Sequence, residues 1–136
     1  MFIVKYTLII RFRSSEVRLP LNVAGGFHSG MMAGAGEKLR AVLADVPVRE
    51  PVLPVAQNFT GRLVEDYTTV KENLAQQVAG SVHWIDCVNA LSSTGADTFI
   101  EFGPGTVLTG LIRKIDSTKT VMNVQSAEDL DKLVIE

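Results

Sequence analysis

The first residue able to do chemistry is a histidine set among glycines. His28 stands in Ala24-Gly25-Gly26-Phe27-His28-Ser29, just ahead of a helical pattern. An imidazole delivered by a tight glycine turn is a candidate general base. A histidine at a helix entry is also commonly a cap or a solvated side chain, so the segment alone leaves both readings open. Gly103-Pro104-Gly105, between a β-prone run and a helical stripe, offers backbone N–H groups to an anion. It lacks the spacing of a dinucleotide or Walker loop, and the alternative is a close strand-to-helix turn. His83 and Trp84 read as a helix start with a core aromatic. Gln57, Asn58 and Gln77 are amides that nothing local separates from surface amides. Asn58-Phe59-Thr60 fits a glycosylation sequon, yet no secretory pattern accompanies it. Cys87 shares an apolar helical stripe with Trp84 and reads as buried filler rather than a nucleophile.

Composition sets the frame in which such groups work. The chain has 136 residues, enough for one domain with a packed core and too few for two. Hydrophobic residues make up 46% and charged residues 21%, which excludes a globally disordered chain. Lys plus Arg number 13 against 15 Asp plus Glu, for a net charge of -2 with no basic stripe, so nucleic acid is not an expected partner. One cysteine excludes an internal disulfide framework, and the 2 histidines are too far apart in sequence for a zinc constellation. The expected compartment is the reducing cytosol, and the chain reads as cytoplasmic. Met1 to Arg13 carries its arginines after the apolar run, the wrong charge order for a signal peptide, and the run is too short to span a bilayer. Phe2 to Phe12 reads as a strand, and no membrane partner is expected.

The elements that must hold these residues follow from periodicity. Met32, Ala35, Leu39, Val42, Leu43 and Val46 recur at helical spacing until Pro47. Pro51 and Pro54 frame an extended run, Val52 to Asn58, that turns at Thr60-Gly61. Tyr67, Val70, Leu74 and Val78 mark a second helix; Trp84, Ile85, Val88 and Leu91 mark a third, with Ser81 as its expected N-cap. Thr98 to Phe102 and Thr120 to Val124 read as strands flanking a helix that carries Leu108, Leu111, Ile112 and Ile115. Ser126 with Asp129 reads as a capping box opening a last helix through Leu130 and Leu133. The alternation predicts an α/β fold with parallel strands and flanking helices.

Three segments together carry a resemblance. They are Leu19-Pro20-Leu21-Asn22-Val23-Ala24-Gly25-Gly26-Phe27-His28-Ser29-Gly30-Met31-Met32, then Gln77 ahead of Trp84, then Glu101-Phe102-Gly103-Pro104-Gly105-Thr106-Val107-Leu108-Thr109-Gly110-Leu111. In this order the sequence resembles the malonyl-CoA:acyl carrier protein transacylase family, over its C-terminal part only. The resemblance implies that residues 17–136 belong to the C-terminal part of an α/β-hydrolase-like acyltransferase large subdomain, with residues 1–16 an unassigned strand-like segment. It further implies transfer of malonyl from malonyl-CoA to the acyl carrier protein thiol in fatty-acid biosynthesis, through an acyl-serine intermediate and without a cofactor. His28 would take the serine proton, the Gln77 backbone carbonyl would steer the ring, and Phe27 would favour a malonyl substrate. An unassisted hydroxyl is a poor nucleophile, and the imidazole must be held in one tautomer to accept its proton.

Two departures qualify the resemblance. Gly26 stands where the family often has Pro, which loosens the turn. No Ser lies in a Gly-x-Ser-x-Gly elbow, and no arginine from the family's carboxylate-gripping segment is found. These departures, and a start that does not match the family, lead us to expect a truncated or re-started reading frame, inactive by itself, with an exposed sheet edge open to self-association. Two other readings stay open: an acyltransferase segment of polyketide synthesis, and a non-catalytic remnant that binds a partner.

Overall fold

The computed structural model describes residues 25–131 and 133; the expected strand of Phe2 to Phe12, and the Leu19 to Ala24 part of the family-like segment, lie outside them. The chain divides into two compact units between Cys87 and Val88, a point that falls inside one helix.

The first unit is built on a helix pair. A 3-10 turn, Gly30–Met32, leads into α1, Ala33–Ala44. A second 3-10 turn, Tyr67–Thr69, capped by the Asp66 carboxylate, leads into α2, Val70–Gln77. The expected apolar stripe of α1 is only partly used, since Val42 and Val46 stay exposed while the buried position is Gly36. A Cβ at Gly36 would sit 2.9 Å from the Ala75 carbonyl oxygen, so the two helices approach closely because this residue has no side chain. Arg40 ties the same seam by donating from Nε and Nη2 to the two carboxylate oxygens of Glu72, each at 2.8 Å. It also pairs with Glu37. The Arg40 hydrogen bonds hold the Glu72 carboxyl down at about 2, so whatever this exposed pair contributes is present above the ordinary value of 4.5 and is lost as pH falls toward 2.

Between the helices lies a correction to the expected strand of Val52 to Asn58. Only β1, Ala56–Gln57, forms there, paired antiparallel with β2, Arg62–Leu63. Pro51 and Pro54 donate no N–H to a ladder, and Val52 and Leu53 are 99% and 74% exposed. The hairpin turns at Gly61, φ 66, where a Cβ would lie 2.7 Å from Asp86 Cβ. Helix α3, Trp84–Ser92, begins later than Ser81: the first helical carbonyl is that of His83, which accepts from Cys87 N at 3.0 Å, so Ser81 is not its cap.

The second unit is a βαβ element. β3, Thr98–Phe102, and β4, Thr120–Val124, pair in parallel from Thr98↔Thr120 to Phe102↔Val124, with α4, Val107–Ile115, between them in sequence. Parallel strands need such a crossover, as the sequence pattern predicts. Val88, Ile112, Val121 and Val124 are buried here, each contributing roughly 1.5–3 kcal/mol. Helix α5, Ala127–Leu130, opens with the expected Ser126/Asp129 capping box but stops before Leu133, whose N–H bonds the Leu130 carbonyl.

The Gly103-Pro104-Gly105 turn resolves its two readings in favour of a strand-to-helix turn. Gly103 and Gly105 take φ 129 and 91, values that exclude most side chains. The N-terminus of α4 already faces an anion, the carboxylate of Glu101 on β3. Glu101 accepts from Leu108 N at 3.1 Å, from Thr109 N at 2.8 Å and from Thr109 Oγ1 at 2.7 Å. Asn123 Nδ2 fastens the turn to the Glu101 and Gly105 carbonyls at 3.1 and 2.9 Å. Glu101→Ala leaves the buried Thr109 without its partner, and is expected to lower the unfolding free energy by about 1–3 kcal/mol in urea titrations. Glu101→Gln, which keeps an acceptor, should lose clearly less.

Candidate active site

The histidine-bearing turn enters the first unit with an unusual backbone. Sequence reasoning gives the tight turn to Gly25 and Gly26, whereas the residue in the left-handed region is His28 itself, at φ 55. A side chain there costs about 1–2 kcal/mol, and histidine tolerates it better than most. The strain is held by Ser29, whose Oγ donates back to the Gly26 carbonyl and whose own carbonyl accepts from Met32 N at 2.9 Å. A Cβ at Gly26 would fall 2.7 Å from Met31 Sδ, so a proline there would displace the end of this exposed methionine side chain.

His28 is half-buried, and its Nδ1 lies 2.9 Å from the Gln77 carbonyl oxygen and 3.1 Å from that of Gly80. Carbonyl oxygens only accept, so Nδ1 is the protonated nitrogen and Nε2 carries the ring's basic lone pair. The carbonyls are available because α2 ends here. Gly80 N and Ala79 N both turn back to the Gln76 carbonyl, at 2.8 and 3.2 Å, which leaves the next carbonyl, Gln77, for the imidazole. Gly80 comes this close because it lacks a side chain: a Cβ would sit 2.6 Å from the Phe59 ring.

The Gln77 side chain belongs to the same cluster. Its Nε2 donates to the Gly80 and Ser81 carbonyls at 3.1 and 3.2 Å, while its Oε1 is buried with no partner among the described residues. Gln77 Nε2 lies 3.4 Å from His28 Nδ1, a contact between two donors rather than a bond.

The other sequence candidates have structural work. Gln57 accepts from Asn73 Nδ2 at 2.8 Å, and Asn58 accepts from His83 N at 2.8 Å, so both fasten the hairpin to the helices. His83 Nδ1 is 3.5 Å from Asp86 Oδ2 in an exposed pair. Phe27 is 40% exposed, with its ring close over Gly25. Among the described residues no group of three His, Cys, Asp or Glu could hold a metal, and no helix is long and apolar enough to cross a membrane. A groove of about 290 Å³ in the α1–α2 seam does not include His28, and its charged lining residues Arg40 and Glu37 pair with each other. Sequence reasoning missed Gly80 and Glu101. An acid two residues before a glycine turn is a signal for Glu101, whereas a backbone acceptor leaves no mark on residue type.

Cys87 is 3% exposed and its Sγ reaches Asn58 Oδ1 at 3.6 Å. Burial, with the Asp86 charge adding to it, pushes the thiol up to about 11 from 9.0. Between these values the unfolded chain has lost a proton that the folded chain keeps, so stability falls as pH rises across that window. The expected loss is about 2–3 kcal/mol, read as the part of the pH-dependent change in urea unfolding that Cys87→Ala removes.

The described elements place the chain in the α/β class, with one histidine ring held against two carbonyl oxygens at the end of a helix. Comparison with known proteins narrows it. No family model matches. The malonyl CoA-acyl carrier protein transacylase of Bacillus subtilis (strain 168) is 34% identical over 113 residues, which is 83% of this chain and 36% of that protein. The crystal structure of the acyl-carrier-protein S-malonyltransferase from Burkholderia pseudomallei 1710b superposes with TM-score 0.76 at 38% identity, covering 84% of this chain and 37% of that one. A structure described as a type II PKS acyl-carrier protein in complex with its malonyl-transacylase gives TM-score 0.75 at 30% identity, over 84% and 37% of the two chains. The chain belongs to the malonyl-CoA:acyl carrier protein transacylase family, of whose curated members it spans little more than a third.

Proposed function

We propose that this chain is the base-bearing part of an enzyme that moves malonyl from malonyl-CoA to the thiol of acyl carrier protein. Support comes from the family membership and, on the site itself, from one observation: His28 Nδ1 faces two carbonyl oxygens at 2.9 and 3.1 Å. In the proposed reaction His28 Nε2 takes the proton of an attacking serine hydroxyl while the oxygen bonds the malonyl carbonyl carbon. The coenzyme A sulfur leaves and receives that proton from the imidazolium. The carrier thiol then attacks the ester, giving its proton to Nε2, and the serine oxygen leaves with it. The Gln77 and Gly80 carbonyl dipoles face the positive charge the ring holds between these transfers.

The sequence contains no Gly-x-Ser-x-Gly, so the nucleophile is not among these residues. Phe27, adjacent to the base, is proposed to contact the malonyl group. Fatty-acid synthesis in the cytoplasm is the proposed setting, and the relative bound to a type II PKS carrier protein supports polyketide synthesis as the alternative. The test is a chimera in which this chain replaces the matching segment of the Bacillus subtilis relative. Malonyl transfer to carrier protein is expected; a folded chimera that forms no acyl-enzyme would refute the proposal.

Self-association is part of the same reading. Among the described residues each strand of the β3–β4 sheet has one partner, and Met31, Val42, Val52, Leu53 and Val107 are each more than two-thirds exposed or close to it, at 85%, 67%, 99%, 74% and 68%. Sedimentation of the isolated chain is expected to show a concentration-dependent mass; a monomer across the accessible range would contradict this.

A further inference from the structure

We infer that the Gln77 carboxamide is a positioning group for His28, which rests on the proposed role of His28 as the base. The backbone carbonyl of Gln77 meets Nδ1 whatever side chain the residue carries, but the carbonyl of Gly80 lies beyond the end of α2, in a turn with no ladder to hold it. Gln77 Nε2 supplies the hold by donating to Gly80 O at 3.1 Å and to Ser81 O at 3.2 Å. A carbonyl oxygen has two lone pairs, and at Gly80 one takes the Gln77 amide and the other takes the imidazole. The amide orientation is fixed by the same contacts, because turning it over would set Oε1 against two carbonyl oxygens. That leaves Oε1 buried without a partner, an arrangement with an energetic cost that a surface-directed amide would avoid. The Phe59 ring packs where a Gly80 side chain would stand, while the Gln77 carboxamide takes the Gly80 carbonyl. The consequence is a tautomer preference at His28 set by a side chain that touches no substrate.

The experiment uses the full chain and nitrogen NMR of the His28 ring. Gln77→Met keeps the length of the side chain and the backbone carbonyl while removing both donors. It is expected to shift the His28 tautomer ratio about three- to tenfold away from Nδ1–H, the worth of one neutral hydrogen bond. Gln76→Met, on the same helix but bonded to Glu72, should leave the ratio unchanged and controls for general loosening. A ratio unaltered in folded Gln77→Met, with Nδ1–H dominant in the wild type, overturns the inference and leaves the base assignment standing. A wild type in the Nε2–H form overturns the base assignment itself. Should Gln77→Met not fold, hydrogen exchange at the wild-type Gln77 side-chain amide decides: protection is expected, and exchange as fast as in a free carboxamide contradicts the inference.

Discussion

His28→Ala in the chimera with the Bacillus subtilis relative is expected to lower malonyl transfer by about 10²–10⁴-fold, the range a positioned general base supplies. The fall should be in kcat, because in the proposed mechanism the imidazole acts on the proton of the attacking group rather than on the body of the substrate. His28→Gln should be nearly as damaging: it retains a donor toward the two carbonyls but has no basic lone pair. The left-handed backbone at φ 55 makes alanine less well tolerated than histidine there, so the measurement needs a folding control by circular dichroism. A chimera whose transfer is insensitive to both variants would show that another group takes the proton.

The second large effect is an absence of reaction. The isolated chain incubated with malonyl-CoA is expected to show no acyl adduct in its intact mass and no transfer to carrier protein. A base has nothing to activate without a hydroxyl placed against it, and no serine here stands in a nucleophile elbow. Cys87 is a poor substitute: it is buried, its thiol points to the Asn58 amide oxygen, and it holds its proton up to about 11. The resemblance also implies an arginine that grips the malonyl carboxylate in a bidentate pair; no segment here matches it, and a lysine does not reproduce that geometry. A stoichiometric adduct that passes to carrier protein and vanishes in His28→Ala would contradict this prediction.

What the sequence made legible was largely periodic or local. The β3–α4–β4 order could be read because β-branched and aromatic runs alternate with a 3.6-residue stripe, and the Ser126/Asp129 capping box because its two partners are near neighbours. The strand expected from Val52 failed because β propensity says nothing about the two missing proline N–H groups until pairing is attempted. Helix α1 forms where the spacing predicts a helix but packs through a residue outside the apolar stripe: Gly36 works by having no side chain and scores as a weak helix former. His28 stands out by its glycine setting, but its link to Gln77 comes only through the resemblance, since no spacing rule joins residues 49 apart in the chain. The Gly80 carbonyl had no sequence signal at all, because backbone acceptors are common to every residue and only the fold decides which of them is left over at a helix end.

Helix-end carbonyls hold His28 as the Nδ1–H tautomer, and the nitrogen shifts of the His28 ring in the wild-type chain at alkaline pH report that state. A protonated Nδ1 and an unprotonated Nε2 are expected, with the Nδ1 proton slowed in exchange by the Gln77 and Gly80 oxygens. An Nε2–H tautomer, or a ring averaging freely between the two forms, would contradict it.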